Sequence, residues 1–170
     1  SMGRAHTASQ IEQAMELART HFGGLVNMDL IAGLPTDSLE GFQRTLDRVL
    51  AMGAVNITVH TLALKKGARL MERPEDLCTP ATVSDMLALG EHALRDAGYQ
   101  PYYLYRQKYM SGSFENVGWC KPGTECAYNI IMMEELQTVL SLGAGGVTKL
   151  VDPSTGKITR LANPKFPKEY

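Results

Sequence analysis

The chain has 170 residues, 44% of them hydrophobic and 21% charged, with a formal net charge of −1. Those values are ordinary for one folded domain or a large piece of one and exclude a disordered polymer. The near-neutral balance, without a long basic run, gives no electrostatic footprint for nucleic acid.

No apolar stretch approaches the roughly 20 residues that span a bilayer, and no signal-peptide pattern opens the chain. Cys78, Cys120 and Cys126 are an odd set without framework spacing, which fits a reducing, cytoplasmic compartment. Ser1-Met2 reads as a vector remnant, and the near-immediate start of a helix is what a piece of a longer chain would show.

Thr7 and Gln10 form a capping-box pattern for a helix to about His21, with Ile11, Met15, Ala18 and Phe22 on one face. A strand at about 25–31 follows, carrying Asp29 in an apolar run that Gly33-Leu34-Pro35 stops. Alternation puts Asn27, Asp29 and Ile31 on one face. Leu39, Phe42, Leu46 and Val49 mark a helix at about 38–52, capped by Asp37 or Ser38 and ended by Gly53. Val55–Leu62 is β-branched and reads as the next strand. Strand, helix and strand at this spacing make a βαβ unit, hence a parallel pair with a right-handed crossover.

Gly67–Arg73 suggests a short helical turn, and 74–80 a break. A third helix runs from Thr79 or Pro80 to about Ala97, with Val83, Met86 or Leu87, Gly90, Leu94 and Ala97 in its stripe and Gly98 as its stop. Tyr102–Arg106 is a strand candidate, 111–126 reads as loop, and Tyr128–Met133 is open between strand and helix, as is 134–142. Gly143–Gly146 is a glycine turn. Val147–Val151 and Lys157–Ala162 flank Asp152-Pro153-Ser154-Thr155-Gly156 as a β-hairpin. A division near 98–100 separates the βα layer from a mixed remainder.

Asp29 is the leading candidate for chemistry. A carboxylate on a buried strand needs a partner. Its plain reading is an ion pair with a neighbouring basic group; its sharper reading is a cofactor contact, since sites in parallel sheets gather at strand C-terminal ends. Arg4 could clamp a carboxylate bidentately or simply be solvated. His60 lies on the second strand with no nucleophile or orienting partner visible. The segment Tyr99–Tyr109 holds five tyrosines beside Arg106 and Lys108, which suits either a flat acidic ligand or a half-buried strand with a polar edge. Cys120 and Cys126 lack zinc spacing, and the glycines at 143–146 lack the Lys-Ser/Thr of a phosphate loop.

Gly3–Thr7, Asn27–Pro35, Tyr102–Tyr109, Phe114–Trp119, Met132–Glu135 and Leu142–Gly146 together resemble the radical SAM family of oxygen-independent coproporphyrinogen III oxidases, in its HemZ-like branch. The resemblance implies an α/β fold: the C-terminal half of a partial (β/α)6 TIM-like barrel over 3–98, then a mixed α+β family-specific region over 99–170. It implies S-adenosylmethionine contacts at Arg4, Asp29 and Ala63, and a looser set at Phe114 and Glu115. Substrate contacts fall at Tyr105, Arg106 and Lys108, with Arg106 or Lys108 holding a propionate. The implied partners are a porphyrinogen and an electron donor, with no nucleic acid and no membrane.

The implied reaction starts from S-adenosylmethionine cleaved at a reduced [4Fe-4S] cluster. A 5′-deoxyadenosyl radical takes hydrogen from a propionate of coproporphyrinogen III, and loss of carbon dioxide leaves a vinyl group; two such steps give protoporphyrinogen IX. The family's Cys-x-x-x-Cys-x-x-Cys spacing is missing here, so no metal ligand is assigned and this stretch alone is expected to be inactive. Its cut barrel edge is expected to favour self-association. The alternatives are a haem-binding chaperone of the same superfamily and a non-catalytic α/β interaction module.

Overall fold

The computed structural model describes residues 6–63, 74–105 and 114–170. Two compact units divide the chain, Ser1–Glu125 and Cys126–Tyr170. This division falls later than 98–100 because two strands beyond residue 99 pair into the sheet of the first unit.

In the first unit, helix α1 (Ala8–His21) opens on the expected capping box, in which the Thr7 hydroxyl accepts from the Gln10 N–H and the Gln10 side-chain oxygen accepts from the Thr7 N–H. The expected stripe of α1 is not buried: Met15 and Ala18 are half-buried, while Ile11 and Phe22 stay exposed. Only Met15 of that stripe packs against the core, and Arg48 holds Glu12 from the neighbouring helix. Strand β1 (Asn27–Ala32), helix α2 (Leu39–Met52) and strand β2 (Asn56–Thr61) form the βαβ unit, with β1 and β2 parallel and Asp29 opposite Thr58. Ser38 caps α2, and Gly53 ends it in the left-handed region.

Gly33 adopts φ +84°, and a Cβ there would lie 2.9 Å from a Val83 methyl. Both facts require glycine in the Gly-Leu-Pro turn. The Cys78 thiol donates to the Leu34 and Asp37 carbonyls at 3.3 and 3.5 Å, tying the same turn down. Within the expected break, Pro74–Asp76 makes one 3₁₀ turn. Helix α3 (Pro80–Asp96) starts on a Thr79 cap and buries Val83, Met86, Gly90 and Leu94. The Gly67–Arg73 turn lies outside the described residues.

Strand β3 (Gln100–Tyr105) matches expectation; strand β4 (Asn116–Cys120) corrects it. The stretch read as loop supplies a strand inside the sheet, whose order is β1-β2-β4-β3, with β4 antiparallel to both neighbours. Asn116 and Gly118 are poor strand formers, but Gly118 lies under the Tyr103 ring, where a Cβ would come within 1.8 Å of a ring carbon. Packing overrides propensity at this position.

Alternation divides the sheet. Leu30, Ala32, Ile57, Val59 and Trp119 join Phe42, Leu46, Val49, Met86 and Leu94 in one core under α2 and α3. The opposite face is polar. β1 is therefore buried on one side only, and Asp29 is not inside an apolar strand.

The second unit holds helix α4 (Ala127–Met133) and the hairpin of β5 (Val147–Val151) and β6 (Ile158–Ala162). The Asp152 carboxylate accepts from the Ser154 backbone and the Ser154 and Thr155 hydroxyls, which hold it down to about 2 and close the hairpin loop. The glycine turn at 143–146 is held by Asn163, whose amide donates to the Ser141 and Gly143 carbonyls. Lys149, nearly buried, lies 3.7 Å from Glu135, which also pairs with Arg160.

Candidate functional site

The β1–β2, β2–β4 and β3–β4 registers place Asn27, Asp29, Thr58, His60, Tyr103, Tyr105, Asn116 and Gly118 on one face of the sheet. The side chains of Tyr103, Thr58, Asn27, Asp29, His60 and Tyr105 form a connected path. The Tyr103 hydroxyl lies 3.1 Å from Thr58 Oγ1, which donates to Asn27 Oδ1 at 3.1 Å. Asn27 Nδ2 donates to Asp29 Oδ1 at 2.7 Å. On the other side of Asp29, His60 Nε2 approaches the same oxygen at 3.6 Å. His60 Nδ1 lies 3.1 Å from the Tyr105 hydroxyl, and the Tyr105 ring stacks beside that of Tyr103 at 6.4 Å between centroids.

His60 gains in this way the orienting partners that its sequence context did not reveal. The tautomer that accepts from Tyr105 at Nδ1 is the one whose Nε2 proton lies on the side of Asp29. At 3.6 Å that contact is electrostatic rather than a formed hydrogen bond. The Asp29 carboxyl is held below the usual carboxylate range. The His60 imidazole is the largest cause, Asn27 and Thr58 add to it, and partial burial opposes.

A cleft of about 790 Å³ opens at the C-terminal ends of β1 and β2. Asp29, His60, Ala63, Tyr105 and Asn116 line it, with apolar walls from Ile31, Leu34, Phe42 and Leu62. Asn116 fixes its floor. Buried to 1% exposure, it accepts the Thr61 backbone N–H at 2.7 Å, where β2 ends and the chain turns towards Ala63. The Thr61 hydroxyl, also buried beside the cleft, has no hydrogen-bond partner.

Three expected site residues, Asp29, Ala63 and Tyr105, are brought together here. Phe114 and Glu115 are not. They line a separate groove of about 310 Å³ with Ser84, Leu87 and Glu91 of α3. Their neighbours Asn116 and Gly118 face the cleft side instead. Arg4, Arg106 and Lys108 lie outside the described residues. Thr58, Tyr103, Asn116 and Gly118 escaped the sequence reading as site residues; the β1–β2 register reveals Thr58, and the β4 register the other three. Among the described residues, no group of three or more His, Cys, Asp or Glu side chains could hold a metal. Burial raises the Cys78 and Cys120 thiols above their ordinary value. No helix among them is long and apolar enough to cross a membrane.

Over its whole length the chain is similar in sequence to proteins named for oxygen-independent coproporphyrinogen III oxidase and for heme chaperone HemW, and similar in fold to a solved coproporphyrinogen III oxidase. Among curated relatives, the oxygen-independent coproporphyrinogen-III oxidase-like protein HemZ of Bacillus subtilis is 40% identical over 172 residues, covering 100% of this chain and 34% of that protein. The heme chaperone HemW of Haemophilus influenzae is 29% identical over 99% of this chain and 40% of its own length.

The solved coproporphyrinogen III oxidase of Escherichia coli, described as a radical SAM enzyme, superposes with a TM-score of 0.67 at 20% identity. It covers 98% of this chain and 38% of that one, and shares its mixed α/β fold. No protein-family model matches the chain. The chain spans well under half the length of each of these relatives.

Proposed function

We propose that this chain forms the later strands and the C-terminal region of a radical SAM barrel whose parent protein oxidatively decarboxylates coproporphyrinogen III propionates. The observation that carries the reading is the cleft, which an oriented carboxylate, Asp29, shares with His60 and Tyr105. Its donor set fits S-adenosylmethionine: Asp29 offers an acceptor for a hydroxyl or ammonium group, and the Thr61 hydroxyl is a buried group without a partner. When bound and reductively cleaved, that cofactor supplies a carbon-centred radical able to take hydrogen from a propionate.

This chain's residues bind and orient. Asp29 holds a polar edge of the cofactor, Asn116 keeps the backbone entering Ala63 in place, and Tyr105 borders the substrate side. The described cysteines do not fit an iron–sulfur cluster, so no step is assigned to them. The stretch is inactive alone.

The test is a longer form of the protein carrying a Cys-x-x-x-Cys-x-x-Cys segment, reduced anaerobically with S-adenosylmethionine and coproporphyrinogen III. Carbon dioxide release with protoporphyrinogen formation supports the proposal. The heme chaperone relatives favour a second reading, in which the intact protein retains haem and releases no carbon dioxide; that result would replace the first. We also propose self-association through β1, which pairs only with β2 among the described residues. Sedimentation showing a monomer at every concentration would refute it.

A further inference from the structure

We infer that His60 is a positioning residue: clamped at Nδ1 by the Tyr105 hydroxyl, it presents Nε2–H to Asp29 and fixes how that carboxylate meets a ligand in the cleft. The inference rests on the S-adenosylmethionine reading above and adds a residue to it. Asn27 Nδ2 and His60 Nε2 both approach Asp29 Oδ1. Among the described residues these contacts fall on Oδ1, and Oδ2 faces a ligand hydroxyl or ammonium.

The rotation of the carboxylate is set from two sides. On one side the path Asn27–Thr58–Tyr103 is hydrogen-bonded throughout. On the other side His60 spans the gap between Asp29 and Tyr105. Its ring is three-quarters covered and meets Tyr105 edge-on, with centroids 6.2 Å apart and an interplanar angle of 72°. Because Tyr103 and Tyr105 stack on each other, the two sides close into one ring of contacts. Removing the imidazole opens that ring at the point nearest Asp29. The 3.6 Å gap to Oδ1 closes with a sub-ångström shift, as site contacts do when a ligand arrives.

A purely space-filling His60 makes a different prediction, because phenylalanine fills the same volume without a donor. Glutamine keeps a donor near the position of Nε2. Two measurements use these variants. On this chain, nitrogen shifts of the His60 ring and the carboxyl-carbon titration of Asp29 are recorded by NMR for wild type, H60F, H60Q and Y105F. On the longer, cluster-bearing protein, S-adenosylmethionine affinity is measured for the same set and for D29N.

The expected result is a neutral Nε2–H tautomer in wild type and mixed tautomers in Y105F. H60F should raise the Asp29 titration midpoint and weaken S-adenosylmethionine binding about tenfold, the scale of one hydrogen bond to a charged group. H60Q should recover most of both effects. Equal losses in H60F and H60Q, or wild-type affinity in H60F beside a loss in D29N, would overturn the positioning role alone. A wild type that binds no S-adenosylmethionine would overturn the cofactor reading, and the positioning role with it.

Discussion

The two faces of the four-stranded sheet use the same strands for opposite purposes. On the helix side, Leu30, Ala32, Ile57, Val59 and Trp119 are almost fully buried against α2 and α3. On the other side, the residues between them, Asn27, Asp29, Thr58, His60 and Tyr105, bond to one another at the edge of a cleft. A period of two residues lets each strand contribute to both. The stability of the unit is concentrated on the first face, and the capacity for chemistry on the second. The two should therefore respond differently to substitution.

The largest expected effect is on the helix side. Phe42 is 1% exposed at the centre of the core, so Phe42→Ala should cost about 3–5 kcal/mol through lost burial and a residual cavity. Urea unfolding at neutral pH measures it; a loss below 1 kcal/mol would mean that the core is not shared in this way. Gly118→Ala comes next. Its new methyl would strike the Tyr103 ring, which is itself buried, and overpacking of that kind costs about 1–3 kcal/mol. A double-mutant cycle with Tyr103→Ala should recover much of the loss, because the ring is the obstacle. Strict additivity would count against that contact.

Asn116→Ala lies where the faces meet. It removes the acceptor for the Thr61 N–H and leaves a buried donor unpaired, a cost of about 1–3 kcal/mol. The site-specific readout is hydrogen exchange. The Thr61 amide should lose protection well before its strand neighbours, and unchanged exchange there would show that Asn116 is not the clasp at the end of β2.

The helix side was the more legible of the two in the sequence. Phe42, Leu46 and Val49 of α2, and Val83, Met86 and Leu94 of α3, stand at helical spacing, and spacing is what burial requires. Thr7 was readable as a cap for the same local reason, and Ser38 and Thr79 each stood as one of two candidates, with Asp37 and Pro80, until the structure chose between them. β4 was not, because Asn116 and Gly118 are selected by contacts with Thr61 and Tyr103, which are distant in the chain. With β4 hidden, the partnership of Tyr105 and His60 was hidden too, since β4 alone brings β3 alongside β2. Asp29 could be singled out as a strand carboxylate with a basic neighbour, and His60 is that neighbour; the Asn27 amide beside it was not anticipated. The alternation in α1 suggested a buried stripe that the described residues do not cover.

The smallest expected effect on stability falls on the residue of greatest functional interest. The Asp29 side chain is 62% exposed, although His60 beside it is only 25% exposed. Asp29→Asn retains a carbonyl oxygen to accept from Asn27, so at neutral pH it should change stability by no more than about 0.5 kcal/mol. The sign of any pH dependence follows from the lowered carboxyl. A group that ionises more readily when folded contributes stability above its unfolded value, near 3.9, and loses that contribution as the pH falls through the lower folded value. The small advantage of wild type over D29N should therefore be present at pH 7 and vanish on acidification. Urea midpoints at pH 7 and pH 3 test this directly. A cost of several kcal/mol, or a gap that widens in acid, would make Asp29 part of the scaffold. A near-silent D29N that nonetheless loses ligand would separate the two faces: one can be altered with little structural consequence because the other holds the sheet in place.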